Sequence, residues 1–295
     1  MVVSPLIIGL LLAAALMHAS WNALLKADRS DRLATFGVMM TTGTAMGLVA
    51  VPFLPVPAFA SWKFMALSVI VHLAYYTFLL KAYSYGDLSH TYPIARGLGP
   101  MLVAVVSGQV IGEHLRTQDI LGVTLSSAGL VMLALPLKAV APKKAGGRQG
   151  LATLFAILTG CTIAAYIIAD GLGVRAAGPD FAHRLGYIAW LCVVEGPWLL
   201  VLAIVLRPQT VWSHLKRYWW RGVIGGTIAN TGYGIAIYGL VMGPMAHVAA
   251  MRETSVLFGA LMGTLVLGEA FGLRRIAAAV LIVTGLALMN GPALL

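Results

Sequence analysis

Charge is scarce in this chain. Asp, Glu, Lys and Arg make up only 10% of its 295 residues, where a soluble domain carries roughly 25%. That scarcity excludes an ordinary globular protein. Acidic groups are the rarest, with 10 Asp+Glu against 20 Lys+Arg and a net charge of +10. In a soluble chain the surplus would point to nucleic acid. Here the basic residues fall between long apolar runs and read as loop anchors at a bilayer surface, so no nucleic-acid partner is expected. There are two cysteines, Cys161 and Cys192, both in apolar stretches, which excludes a disulfide framework and leaves two small buried residues. No zinc spacing, serine elbow, carboxylate pair or phosphate-cradling glycine loop is present, so neither metal nor cofactor is expected. The N-terminus lacks a basic segment and a small-residue cleavage site, and the first apolar run is read as a retained span.

What the chain has is hydrophobicity: 60% apolar residues and a mean hydropathy of +0.89. A helix needs about 20 residues to cross roughly 30 Å of hydrocarbon. Ten runs satisfy this, giving an all-α integral membrane protein. Five lie in the first half, at Leu6–Leu25, Ala34–Leu54, Phe64–Tyr83, Thr91–Ile111 and Ile120–Leu137. The second half supplies Leu151–Leu172, Leu185–Leu206, Trp220–Val241, Met245–Leu267 and Ile276–Asn290. Fourteen of the twenty Lys and Arg residues follow the odd-numbered runs, and only Lys63, Arg116, Arg175 and Arg184 follow the even ones. The positive-inside rule then places both termini in the periplasm and the central linker in the cytoplasm of a bacterial inner membrane.

The chain is also internally repeated. Arg96, Gly112 and Glu113 recur 156 residues later as Arg252, Gly268 and Glu269. Ile120, Leu125, Gly129 and Leu130 recur at the same offset as Ile276, Leu281, Gly285 and Leu286. Residues 1–137 form one five-helix unit, 138–150 a polar linker and 151–295 the second unit. Five spans per unit insert the two copies in opposite senses, as inverted repeats. Glycine pairs four apart, such as Gly222/Gly226, read as packing seams between helices.

Polar residues inside spans carry the functional reading, because each must face a partner or a cavity. Arg96 and Arg252 are the principal candidates. Depth arithmetic from Glu113 and Glu269 places them about 25 Å away along the helix, near opposite membrane faces. Substrate-lining candidates beside them are His18, Trp21 and Asn22 in span 1, Tyr76 in span 3 and Tyr92 in span 4. The second half adds Tyr166, Asn230, Tyr233 and His247. Glu253 and Asp170 are candidates to exchange a proton or pair with an amine. Glu195 is an isolated carboxylate with no assigned partner. Pro93 and Pro100 predict kinks in span 4. Glu113 and Glu269 read as helix-end hydrogen-bonding groups. His114-x4-Asp119 copies an acyltransferase spacing, but its counterparts are Ala270 and Arg275, so it reads as an inter-helix turn.

The two five-helix units, with "GE…G…GL" across the fourth and fifth spans of each, resemble the EamA family of the drug/metabolite transporter superfamily over nearly the whole chain. The segments His18–Lys26 and Tyr92–Pro100 are similar to a subgroup associated with phosphonate utilisation. The resemblance implies a ten-helix fold with a central cavity, lined mainly by spans 1, 3, 4, 6, 8 and 9 and worked by alternating access.

The function expected is secondary transport of a small polar or amphipathic metabolite, anionic or zwitterionic, such as an amino acid or phosphonate. A monomer suffices and a dimer is compatible; coupling to protons is one option, and the coupling ion is left open by the sequence. Two alternatives stand beside it: a flippase for a lipid-linked substrate, and an intramembrane enzyme acting on a lipid head group near Glu113–Asp119.

Overall fold

A computed structural model of the chain describes residues 4–27, 31–86, 88–134, 148–267 and 273–294. Among them twelve α-helices form: α1 Pro5–Ala27, α2 Arg32–Ala50, α3 Phe59–Tyr85, α4 Leu88–Ile111, α5 Thr117–Ala134, α6 Arg148–Ala176, α7 Phe181–Glu195, α8 Pro197–Leu206, α9 Pro208–Met242, α10 Met245–Arg252, α11 Ser255–Leu267 and α12 Leu273–Leu294. The central linker up to residue 147 and the Gly268-Glu269 pair lie outside the described residues.

The apolar runs read from the sequence are helical, but three are interrupted. Run two ends in a 3-10 turn at Val51–Phe53, where Pro52 withholds a backbone donor. Run seven divides at Gly196-Pro197 for the same reason, into α7 and α8. Run nine divides at Glu253-Thr254, between α10 and α11. By contrast α4 continues through both Pro93 and Pro100. Helix α9 starts twelve residues before the expected Trp220, at Pro208, and is 35 residues long. Its added turns are amphipathic: Arg221 lies over the Tyr218 and Trp220 rings, and His214 bonds Thr35. This is the amphipathic aromatic chemistry of a headgroup layer, which hydropathy alone reads as an end.

Helix ends follow local chemistry. Asp31 caps α2 by accepting from Leu33 N and Ala34 N, and Asp180 caps α7 by accepting from His183 N. Gly112 terminates α4 with a φ of +70°, a left-handed turn that favours glycine. Glu113, next in sequence, accepts from Met245 N at the start of α10 and from Arg175 Nη2 at 2.9 Å. A carboxylate there satisfies a free helix N–H and complements the helix dipole. It ties the end of α4 to the second half of the chain.

Packing between the halves is reciprocal. Helix α3 packs on α6 and α1 on α9; α4 packs on α6, and α1 on α10 and α11. Helices α5 and α12 pack on each other. Gly129 faces Ala278 and Ile282, while Gly285 faces Gly122 and Ser126. Each set is the other shifted by 156, and Ser126 Oγ donates to the carbonyl of Ile282, its own counterpart. The α5–α12 crossing is thus related to itself by a two-fold operation. A side chain on either glycine would enter the opposing backbone.

Among the described residues, seven helical segments are long and apolar enough to cross a membrane. Large apolar side chains line the outside, among them Phe59, Leu273, Val205 and Val49, with Phe59 91% exposed. In water so much exposed apolar surface would drive association; against lipid it costs nothing. The interior core joins Leu11, Met65, Ile163, Tyr187, Ile237 and Met245 from both halves.

Candidate functional site

A central cavity opens between the two halves. It is lined from α1 by His18 and Trp21, from α2 by Phe36 and Met40, from α3 by His72, Tyr75 and Tyr76, and from α4 by Arg96. The second half contributes Tyr166 of α6, Glu195 of α7, Asn230 and Tyr233 of α9 and Arg252 of α10. Its water-accessible volume is about 100 Å³. One water needs roughly 10–15 Å³ by that measure, so the space has room for several waters or a small molecule.

The two arginines meet in this one cavity. Arg96 stands eight residues into α4 and Arg252 seven into α10, which is about 10–12 Å of helix rise in each case. The sequence reading sets them near opposite faces; here both side chains line the same cavity.

Their surroundings differ. Arg96 Nη1 donates to Glu253 Oε1 at 3.2 Å across the repeats, with the two side chains 11% and 4% exposed. Its Nη2 lies 2.7 Å from His18 Nε2. Arg has no acceptor, so the imidazole presents its Nε2 lone pair to the guanidinium. Arg252 lies over two rings, 6.0 Å from the Tyr166 centroid and 5.7 Å from that of Tyr233. Among the described residues no carboxylate forms an ion pair with it. Glu253 is adjacent in sequence but turns to Arg96.

The break between α10 and α11 makes that turn possible. Glu253 N bonds to Ala250 O and Thr254 N to Met251 O, tight contacts three residues apart. Thr254 Oγ1 also donates to Met251 O. The backbone tightens where Glu253 must reach across, and interrupted helices at mid-depth recur at transporter binding sites.

Behind the cavity wall lies a second polar network. Asp170, fully buried, accepts from Ser68 Oγ at 2.5 Å and from Tyr233 OH at 2.6 Å. His72 sets Nδ1 against Ser68 O at 2.9 Å and stacks on Tyr166 with ring centroids 4.1 Å apart. Its Nε2 is 3.8 Å from Glu195 Oε1, beyond hydrogen-bonding length. Glu195 accepts from Tyr76 OH at 3.1 Å.

Not all of the sequence candidates converge. Arg96, Arg252, His18, Trp21, Tyr76, Tyr166, Asn230 and Tyr233 line the cavity. Asn230 spends its amide donors on Met39 O and Gly226 O, tying α9 to α2. Asn22 does not line it: the residue is exposed, and its amide bonds back to His18 O. His247 is a correction too. It is 3.3 Å from Asp119 and 3.1 Å from Met289 O, in a cluster with Arg116 outside the cavity. His247 shares α10 with Arg252, but its side chain turns to α5 and α12 instead of the cavity. Glu253 and Asp170 sit behind the wall in the bonds just described. Tyr92 belongs to α4, but its side chain lies outside the described residues. Asp119 is turned to Arg116 and His247, while His114 is exposed, so the acyltransferase-like spacing assembles no acid–base pair.

Phe36, Met40, His72, Tyr75 and Glu195 line the cavity but were absent from the sequence selection. Phe36 and Met40 belong to α2, whose run looked wholly structural. Glu195 was recognised as isolated but assigned to no site. Its signal was present in the sequence: a lone carboxylate within an apolar run needs a cavity or a partner.

An apolar exterior, membrane-length helices and a polar cavity between two packed halves define a multi-pass membrane protein of the transporter class. Residues 5–135 and 150–291 match the EamA-like transporter family, and the chain belongs to that family, as a membrane transporter of small molecules. No curated protein matches this sequence. One solved crystal structure superposes with a TM-score of 0.73 at 20% identity, covering 98% of this chain and 96% of its own. At that identity the likeness shows the fold alone.

Proposed function

We propose that the protein is a secondary transporter of a small anionic or zwitterionic metabolite, moved by alternating access through the cavity between two inverted five-helix repeats. In this reading ten spans cross a bacterial inner membrane, with repeats at 1–137 and 151–295 and a cytoplasmic linker at 138–150. Both termini are periplasmic, and one chain encloses the whole path. The reciprocal α5–α12 crossing and the basic residues gathered after odd-numbered runs support it.

The observation that carries the substrate charge is the inequality of the two arginines. Arg96 is neutralised by Glu253, whereas Arg252 faces the cavity over two aromatic rings with no anionic partner among the described residues. An intramembrane cation is costly to keep and marks a substrate path. A carboxylate, phosphonate or phosphate supplies the missing partner. Arg252 is therefore the anion receptor, and Arg96 is the tie between repeats. Proton coupling belongs to Asp170, a buried carboxylate held by hydroxyls instead of a cation, with His72 and Glu195 beside it.

Uptake or efflux of a panel of carboxylates, amino acids and phosphonates by proteoliposomes tests the reading. Arg252→Gln is expected to lower transport at least a hundredfold, and Arg252→Lys to restore part of it. Undiminished transport in Arg252→Gln refutes the anion-receptor role.

A further inference from the structure

The cavity holds a second charge with unfilled bonding capacity. Glu195 accepts one hydrogen bond, on Oε1 from Tyr76. An ionised carboxylate has about four acceptor sites. Its nearest basic group among the described residues is His72 Nε2 at 3.8 Å, and His72 has already committed Nδ1 to the Ser68 carbonyl. Glu195 lines the cavity with its side chain 12% exposed, and Oε2 is not among the buried unpartnered atoms. That oxygen is therefore reachable from the cavity.

The wall beside Glu195 is aromatic. Trp21 stacks on Phe36 at 5.6 Å, and Phe36 meets the edge of Tyr76 at 5.8 Å. Tyr75 lies 5.3 Å from Tyr76. Ring faces together with a carboxylate form the chemistry that receives an organic ammonium group. Among the described residues no lysine or arginine forms an ion pair with Glu195.

The two unmatched charges stand at separate places. Arg252 lies over Tyr166 and Tyr233. His72 stacks against the Tyr166 ring, and Glu195 lies beyond His72. Rings thus stand between the positive and the negative pole. Among the described residues Arg252 and Glu195 form no ion pair with each other, so a ligand that answers both must itself carry two opposite charges held apart by carbon.

We infer that the cavity binds a dipolar substrate whose anionic group engages Arg252 and whose ammonium group engages Glu195, the two separated by a short carbon chain. The inference deepens the transporter reading and rests on its assignment of Arg252. A ligand carrying one charge leaves the other pole unanswered in a water-poor space, and that is the source of selectivity.

Calorimetric titration of the purified full-length protein tests this with 4-aminobutanoate and 6-aminohexanoate, their amine-free parents butanoate and hexanoate, 4-acetamidobutanoate, and glycine. The ω-amino acids are expected to bind at least tenfold tighter than their parents and than glycine. Acetylation of the amine should remove that advantage. Glu195→Gln should abolish the preference while leaving binding of butanoate and hexanoate in place. If no carboxylate binds at all, the Arg252 receptor itself is wrong. If carboxylates bind but the amine adds nothing, or Glu195→Gln keeps the preference, the ammonium pole is overturned while the receptor stands. Tighter binding of glycine than of the ω-amino acids overturns the separated poles. The acetylated ligand tests the wild-type protein directly, so the outcome does not depend on folding of the variant.

Discussion

The same register position was solved differently in the two halves. Around Arg96, α4 is unbroken through Gly97-Leu98-Gly99-Pro100, with Gly97 against Val131 and Gly99 against Ile163. Around Arg252 the corresponding residues are Glu253-Thr254-Ser255-Val256, and the helix breaks. Glycines let α4 approach its neighbours with no polar side chain to place. The second copy carries three polar side chains into a buried position, and the backbone tightens to deliver one of them to Arg96. Duplication supplied two equal cations. Divergence of the next residue neutralised one and left the other without an ion-pair partner among the described residues.

The largest expected effect breaks this asymmetry directly. Replacing Glu253 by Gln leaves Arg96 buried without its counter-charge, and removal of one member of a buried pair costs about 3–5 kcal/mol. The Arg96→Gln/Glu253→Gln double variant should recover part of that loss. Thermal unfolding in detergent read as a double-mutant cycle measures the coupling; additive single effects would show that the cross-repeat tie contributes nothing. In the Arg252→Gln variant stability should fall far less while transport is lost.

A second test concerns the region where the halves remain alike. Gly129→Ala and Gly285→Ala each push a methyl group into the opposing backbone at the α5–α12 crossing. Each is expected to destabilise by about 1–3 kcal/mol, and by similar amounts. A silent substitution at one of the two would break the reciprocity. Smaller again is Thr254→Ala, which removes the hydroxyl bond to Met251 O beside the helix break. It should cost about 0.5–1.5 kcal/mol, measured by the same unfolding assay.

The helix caps give the smallest effects. Asp31→Ala removes two backbone acceptor bonds at α2, worth about 1 kcal/mol. Asp180 caps α7 in the other half from a more exposed position. The backbone N–H of His183, then its side chain, hold the Asp180 carboxyl below the ordinary carboxylate range. A lowered folded value means the contribution is complete above the unfolded pKa and lost as pH falls through the folded one. The stability gap between the protein and its Asp180→Asn variant should therefore be complete at neutral pH, begin to narrow as pH falls to the ordinary carboxylate value, and close in stronger acid. A gap that closes near neutrality would contradict the assignment.

Much of this was legible in the chain. Apolar run length locates the helical segments because a bilayer demands both length and internally satisfied backbone. The echo at 156 residues marks the α5–α12 seam, since glycines that meet across a two-fold must occur in both copies. Proline placement explains the Gly196-Pro197 break, yet Pro100 interrupts nothing. A proline's missing donor ends a helix only where neighbouring packing does not hold the next turn. His247 and Asn22 were misplaced because spacing shows that a polar side chain needs a partner, whereas which neighbour it turns to is set by how the helices pack.

By itself the sequence determined membership of the lipid-embedded class, the duplication, the apolar outer surface and the set of polar residues that had to be hidden. Those follow from composition and spacing, which act residue by residue against one solvent. Only the tertiary structure decided which hidden charges cancel. Arg96 and Glu253 are 157 positions apart, and so are partners only after the halves pack. Glu195 and Arg252 are left uncancelled by the same packing. Pairing depends on distances of a few ångströms between helices, a quantity no single stretch of chain contains.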